Sequence, residues 1–277
     1  MDTGMEEIVD TGIVIHFGPG WIFLWAAIFL FVYFTVIFVI AHKIRNNAIV
    51  DMAWGPGFVL VALLSFFLAG KYTPAGMLVT GLVSLWGLRL FYHIARRNWG
   101  KPEDFRYREM RERWGDKRPA LKAWTRVFLL QGLLMYVISL SVLIVNMADH
   151  GGFSALVMAG LVIWLIGFFF EAVGDYQLKV FITAPINRGK LMTSGLWKYT
   201  RHPNYFGEAT MWWGIFIIAL SVPFGFLSVV SPVLITYLLL YVSGVPLLEE
   251  KFAKRADFRE YARITPKFVP WFPKKSR

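Results

Sequence analysis

Apolar residues run along this chain in long blocks, without the alternation of a strand or the single stripe of a soluble helix. The blocks fall near 21–41, 48–69, 75–95, 124–147, 153–176, 204–221 and 224–246, each bounded by a short polar stretch. Coiled as a helix, an apolar run of about 18 or more residues matches the hydrocarbon thickness of a bilayer. Only helices and closed barrels satisfy their backbone polar groups in lipid, and these runs lack the period of two that a barrel needs. The pattern predicts an all-α, polytopic membrane protein of seven transmembrane helices. Its fifth helix can run on toward Phe181. Pro223, with Ser221, Val222 and Phe224 around it, predicts a tight hairpin between the last two spans. No internal repeat, low-complexity tract or long linker divides residues 1–277, so one membrane domain is expected.

Charge then orients the bundle. Of the 29 Lys and Arg, 27 fall within 42–47, 96–126, 179–203 and 247–277. Lys71 stands on the opposite side, with Asp2, Glu6, Glu7, Asp10 and Asp149. The positive-inside rule puts the N-terminus outside and the C-terminus in the cytoplasm. The acidic N-terminal segment lacks the basic start of a signal peptide. Most of the net charge of +11 serves orientation and anionic headgroups, and no nucleic-acid-binding module is recognisable. Cysteine is absent, which excludes disulfides and thiolate metal sites, and no metal is expected. The longest polar stretch, from Arg96 to Arg126, predicts a charged surface helix opening at Pro102 and closed by Gly115 after Trp114. The amphipathic, proline-rich tail after Glu249 is expected to pack across the cytoplasmic face.

Four charged residues lie inside spans: Asp51, Arg89, Glu171 and Glu208. Each costs roughly 2.5–3.5 kcal/mol on insertion. Asp175 and Lys179 follow Glu171 by one and two helical turns, so a polar stripe descends to the cytoplasmic end of the fifth span. An ion pair such as Asp51 with Arg89 is the plainest account of any one of them. Convergence from four different spans points instead to a polar cavity open to the cytoplasm, in an enzyme or a transporter. Beside Asp51, Gly55, Pro56 and Gly57 weaken the helix and allow close approach of another helix or a ligand. Tyr92 and His93 are suitable proton donors and equally common interfacial anchors.

The most informative stretch runs from Gly174 to Glu208. Lys179, Arg188, Lys190 and Arg201 offer cations for anionic groups, by charge-assisted hydrogen bonds. His202, Asn204 and Tyr205 add hydrogen-bonding capacity, and Trp197 and Tyr199 add flat surfaces for a ring. Neither a glycine-rich dinucleotide fingerprint nor a phosphate loop occurs. GDYQL at 174–178, SGLWKYTRHPNYFGE at 194–208 and FREYARITPKFVPWFP at 258–273 resemble the steroid 5α-reductase family of membrane reductases, in its bacterial branch. The resemblance is strongest over 160–277 and weaker over 46–126, where Asn98, Gly100, Lys101 and Pro102 are similar to the family's N-x-G-[RK]-P loop.

That resemblance implies an oxidoreductase using NADPH to reduce a carbon–carbon double bond conjugated to a ketone, as in a 3-oxo-Δ4 steroid or related lipid enone. It implies a bacterial inner membrane and a cofactor site facing the cytoplasm. Asp175, Trp197, Asn204, Tyr205 and Glu208 match family positions near the cofactor, and Asn98 and Lys101 match the loop that meets phosphates. Two departures stand out. Glu171 falls where steroid reductases carry asparagine, and Ile182 falls where many relatives carry Arg or Lys, which shifts phosphate binding onto Arg188 or Lys190. The family's third-span tyrosine position holds Gly87, so Asp51 and Tyr92 are the chemically sensible catalytic pair. RHPNY and the Glu249–Glu250 pair also resemble membrane methyltransferases that use S-adenosylmethionine, such as the isoprenylcysteine carboxyl methyltransferases. A transporter or lipid-binding protein is the non-enzymatic alternative.

Overall fold

The structure is a computed structural model that describes residues 19–115 and 117–274. The acids Asp2, Glu6, Glu7 and Asp10, which bear on orientation, lie outside the described residues. Those described form an all-helical bundle with no strand. Helices α1 (Pro19–Ile44), α2 (Ile49–Ala69) and α3 (Pro74–Asn98) are followed by the short surface helix α4 (Phe105–Trp114). Next, α5 (Pro119–Ala123) passes through a π-helical stretch, Trp124–Leu129, into α6 (Leu130–Ile138) and α7 (Leu140–Met147). The long α8 (Ala155–Thr183) and its neighbour α9 (Pro203–Ala219) follow, then α10 (Val230–Tyr237), α11 (Val245–Phe252) and α12 (Ala256–Ile264).

Among the described residues six helical stretches are long and apolar enough to cross a membrane: Gly20–Ile44, Ile49–Ala69, Pro74–Asn98, Pro119–Ile138, Ala155–Thr183 and Gly225–Phe252. The remaining expected span, α9, has 17 residues, just below that length. The expected hairpin after it is a turn in which Phe224 takes a left-handed backbone, φ 60°. α8 reaches Thr183, past Phe181. The charged surface helix starts later than Pro102, because Asp104 is the residue that caps it, accepting from Arg106 N at 3.0 Å. Gly115 closes it in the positive-φ conformation that glycine tolerates, φ 59°.

Local chemistry sets the other helix ends. Thr73 Oγ1 accepts from Gly76 N (3.2 Å) ahead of Pro74 in the first turn of α3, and Ser154 Oγ accepts from Val157 N (3.3 Å) at the start of α8. Two glycine contacts decide how the long helices meet. Gly55 of α2 lies back to back with Gly87 of α3, where a Cβ on Gly87 would stand 2.7 Å from Gly55 O. The glycine beside Asp51 therefore admits a helix, not a ligand. α8 and α9 run antiparallel with Gly160 on Gly214, Gly167 on Gly207 and Gly174 on Pro203.

The core contains a buried aromatic triad, Phe58, Trp86 and Trp212, with centroids 5.0–5.4 Å apart. Beyond it, buried Asn146 of α7 ties α2 to α3 through Ala62 O (3.2 Å), Ser65 Oγ (2.9 Å) and Thr80 Oγ1 (3.2 Å). An amide knot of this kind holds helices together where lipid supplies no competing water.

Candidate functional site

Trp86, Arg89 and His93 occupy one face of α3 at i, i+3 and i+7. That face meets Glu171 and Asp175, one turn apart on α8. The Arg89 guanidinium bridges both carboxylates and also donates to Glu171 O at 3.2 Å. Trp86 Nε1 donates to Glu171 Oε2 at 3.1 Å, linking the cluster to the aromatic triad. His93 Nδ1 stands 3.6 Å from Asp175 Oδ2, and Asn204 Nδ2 donates to Asp175 Oδ1 at 3.1 Å. Glu171 and Asp175 retain 3% and 8% exposure, so water contributes little to their charge. The stripe anticipated on α8 is thus the acidic half of a cluster drawn from α3, α8 and α9.

Four groups in or beside this cluster are left over among the described residues. Asn204 Oδ1 is buried without a hydrogen-bond partner among the described residues. Glu208, one turn further along α9, is half-buried within electrostatic reach of Asp175 and Arg89, and makes no hydrogen bond or ion pair there. Tyr205 is half-buried, its ring 5.8 Å from that of His202 and stacked on it. Its hydroxyl is uncommitted among the described residues, and the nearby charges include Glu208, Arg97 and Asp175. Lys179 lies near His93, exposed and without an ion pair.

Arg201 and His202 sit differently. Arg201 clamps Glu249 through Nε (2.7 Å) and Nη2 (2.9 Å), while Nη1 donates to Ala262 O (2.9 Å) and Thr265 O (2.7 Å). His202 Nε2 meets Glu249 Oε1 at 2.9 Å. Since that partner accepts, Nε2 carries the proton and the buried Nδ1 is an acceptor without a partner. Burial, opposed by the Glu249 hydrogen bond, holds the imidazole below its ordinary pKa, so it is neutral at pH 7. Thr200 Oγ1 to Phe268 O (2.7 Å), Trp271 N to Tyr199 O (2.9 Å) and the Tyr261 hydroxyl to Trp197 O extend the seam that docks the tail. Tyr261→Phe is expected to lower stability by about 1 kcal/mol, from one lost buried hydrogen bond, read as thermal unfolding in detergent.

The anticipated pair Asp51 and Tyr92 is not brought together. Tyr92 is 62% exposed and accepts from Arg96 Nη1 at 2.9 Å. Asp51 pairs with the surface helix: Arg106 Nη2 donates to Oδ2 (2.9 Å) and the Tyr107 hydroxyl to Oδ1 (2.5 Å). Burial, then the Asp51 charge, pushes the Tyr107 phenol well above its ordinary range, so it remains a donor. The simple pairing of Asp51 with Arg89 is therefore corrected, since each has other partners.

Among the remaining anticipated ligands, Asn98 accepts from Arg97 Nε at 3.1 Å, and Trp197 Nε1 donates to Gly174 O at 3.1 Å, its indole buried. Lys101, Arg188 and Lys190 are exposed and form no side-chain ion pair among the described residues. Tyr199 is 37% exposed, its ring edge-on to Phe272. Sequence reasoning missed Trp86, Tyr107 and the tail as a partner of Arg201. The i, i+3, i+7 spacing of 86, 89 and 93 was the available signal for the first.

A helical bundle with apolar spans and an internal cluster of acids around one arginine defines an integral membrane protein with a built polar centre. The chain belongs to the family described as "Protein of unknown function (DUF1295)", matched over residues 37–265. It is also similar to the Probable O-methyltransferase ustE of Ustilaginoidea virens, 44% identical over 46 residues. That likeness covers 17% of this chain and 16% of the relative, far short of its length. No solved structure matches.

Proposed function

We infer that the protein is a membrane oxidoreductase that reduces the conjugated double bond of a lipid-soluble enone, such as a 3-oxo-Δ4 steroid, with NADPH. The basic ends of its helices face the cytoplasm and its N-terminus lies outside, with α9 counted as the seventh span. The observation that carries this reading is the uncommitted Asn204 Oδ1 beside Asp175, in a centre whose nearby charges include the unpaired Lys179. An orphaned buried acceptor calls for a donor, and a carboxamide such as that of nicotinamide supplies one. Lys101, Lys179, Arg188 and Lys190 remain free for phosphates, whereas Arg201 and His202 are committed to Glu249 and the tail. We therefore assign Asn204 and these lysines and arginine to a multiply phosphorylated cofactor.

Bound there, NADPH supplies the hydride. The chain's own part is to hold and polarise. Asp175 fixes the Asn204 amide so that its oxygen faces away from the carboxylate. The Arg89 bridge fixes Asp175 in turn. Because Tyr92 is engaged with Arg96 and Tyr107 with Asp51, Tyr205 is the phenol we assign to the substrate carbonyl oxygen, where it stabilises the charge that develops on reduction. The family includes steroid 5α-reductase-like membrane proteins as well as methyltransferases, which keeps both chemistries within its range.

The rival reading is S-adenosylmethionine-dependent methyl transfer, favoured by the short likeness to a protein named as an O-methyltransferase. Against it stands the surplus of unpaired cations, because S-adenosylmethionine carries no phosphate. Titration of the purified protein with each cofactor separates the two. Asn204→Ala is expected to weaken NADPH about tenfold, the worth of one buried hydrogen bond. Tyr205→Phe should leave NADPH binding near wild type while lowering enone-dependent NADPH consumption by about a hundredfold or more. Selective binding of S-adenosylmethionine would overturn the reductase.

A further inference from the structure

A second built site lies away from that centre, at the basic end of α1. There a groove of about 520 Å³ opens between the end of α1, the surface helix α4 and the start of α5. Its size falls within the range of small-molecule sites, about 300–1,000 Å³. Lys43, Arg45 and Arg111 line it, with Asn47 and Trp114, over the small apolar residues Ala41 and Ala123. Lys43 and Arg45 are exposed and have no acidic partner among the described residues. The Trp114 indole N–H and the Asn47 side-chain amide make no hydrogen bond among the described residues. Among the described residues the neighbouring acid Glu103 is already engaged by Arg111 Nη2 (2.6 Å) and Asn47 N (2.8 Å). Among the described residues the groove thus offers donors and positive charge with no uncommitted carboxylate lining it.

The backbone adds an independent mark. Arg45 closes α1 in the left-handed conformation, φ 55°. A non-glycine residue pays about 1 kcal/mol there, and glycine is the usual solution. Residues held in such unfavourable conformations concentrate at functional sites. The position also chooses between ligands. α1 and the α5–α6 stretch are both long enough to cross a membrane, so the groove sits where two spans leave the apolar layer. A phosphodiester at the membrane surface reaches it with its acyl chains remaining in lipid.

We propose that this groove is a binding site for the headgroup of an anionic phospholipid, with Lys43 and Arg45 neutralising the phosphodiester and the Trp114 indole N–H donating to it. The probes are dioleoyl phosphatidylglycerol, dioleoyl phosphatidylcholine and inorganic phosphate, added to delipidated full-length protein in neutral detergent. Binding is read by native mass spectrometry and by thermal unfolding. Phosphatidylglycerol should be retained as a discrete adduct and raise the midpoint, with phosphatidylcholine and phosphate doing neither. Lys43→Gln/Arg45→Gly should bind phosphatidylglycerol about thirtyfold less tightly, the equivalent of about 1 kcal/mol per cation near a charged membrane surface. Glycine relieves the left-handed turn, so this variant should unfold no earlier than wild type without lipid, and a loss of binding cannot be blamed on misfolding. Lys254→Gln/Lys267→Gln, which removes equal charge outside the groove, should bind as wild type. The proposal is overturned if Lys43→Gln/Arg45→Gly keeps wild-type affinity, if the two control substitutions weaken binding as much, or if phosphatidylcholine binds equally. Stabilisation by inorganic phosphate to the same extent would make the ligand a free anion, and would equally overturn the lipid assignment.

Discussion

Arg89→Leu is expected to cost about 3–5 kcal/mol of stability, the usual penalty for removing one partner of a buried ion pair. Glu171 and Asp175 would keep their burial, at 3% and 8% exposure, and lose the group that bridges them. Trp86, His93 and Asn204 cannot make good the loss, because each already contacts one carboxylate and none brings a fixed positive charge. In a chain of this size the thermal midpoint in detergent should fall on the order of 10 °C. Arg89→Lys should recover only part of it, since one ammonium cannot reproduce the forked contact of Nη1 with Glu171 and Nη2 with Asp175. Adding Glu171→Gln to Arg89→Leu should restore part of the stability, because it removes one of the two carboxylates that the first change left unpaired. A non-additive recovery of about 0.5–3 kcal/mol is the signature of direct coupling. A midpoint for Arg89→Leu within a degree or two of wild type would show that the acids are hydrated and the cluster is not a unit.

The reason this cluster was only half legible lies in helix rotation. The acids of α8 announce themselves by spacing alone, four residues apart on one face. Their cation does not, because Arg89 could in principle have met Asp51. The Gly55–Gly87 contact decides the matter: it turns the Gly87 face of α3 against α2. Arg89 is two residues further, about 200° around the helix, and so faces α8. Asp51, one turn from Gly55, is left at the end of α2 for Arg106 and Tyr107 to cover. Long apolar runs were readable because bilayer thickness sets their length. The fourth run was harder to bound, since its helix begins at Pro119 and carries Lys122 and Arg126 in turns that read as polar. Long basic side chains tolerate such places by extending toward water. The first two residues of RHPNY misdirect for a different reason. Arg201 and His202 have the chemistry of anion ligands, but their anion is Glu249, 48 and 47 residues away in sequence, and no local pattern specifies that partner.

Gly167→Val should be nearly as damaging as Arg89→Leu, and through packing instead of charge. A Cβ at residue 167 would stand 2.6 Å from both Gly207 O and Met211 N, inside the distance at which carbon repels backbone atoms. Side chains can rotate away from an intruder, whereas these are main-chain atoms fixed by the hydrogen bonds of α9. The two helices would have to part along a seam where Gly160 meets Gly214 O at the same 2.6 Å. Overpacking of this kind costs about 1–3 kcal/mol for small additions, and a branched side chain against backbone lies at or beyond the upper end. The displacement also reaches the polar centre, because Glu171 is one turn from Gly167 and Asn204 one turn from Gly207. Asn204 would move away from Asp175, so the variant should lose ligand affinity even under conditions where it stays folded. Gly81→Ala is the matched control. Nothing lies within 4 Å of its Cβ position, so alanine there should stabilise α3 by up to about 1 kcal/mol through helix propensity alone. Opposite signs for these two glycine substitutions, measured as thermal midpoints in the same detergent, are the expected result. A wild-type midpoint for Gly167→Val would mean that α8 and α9 do not pack in this register.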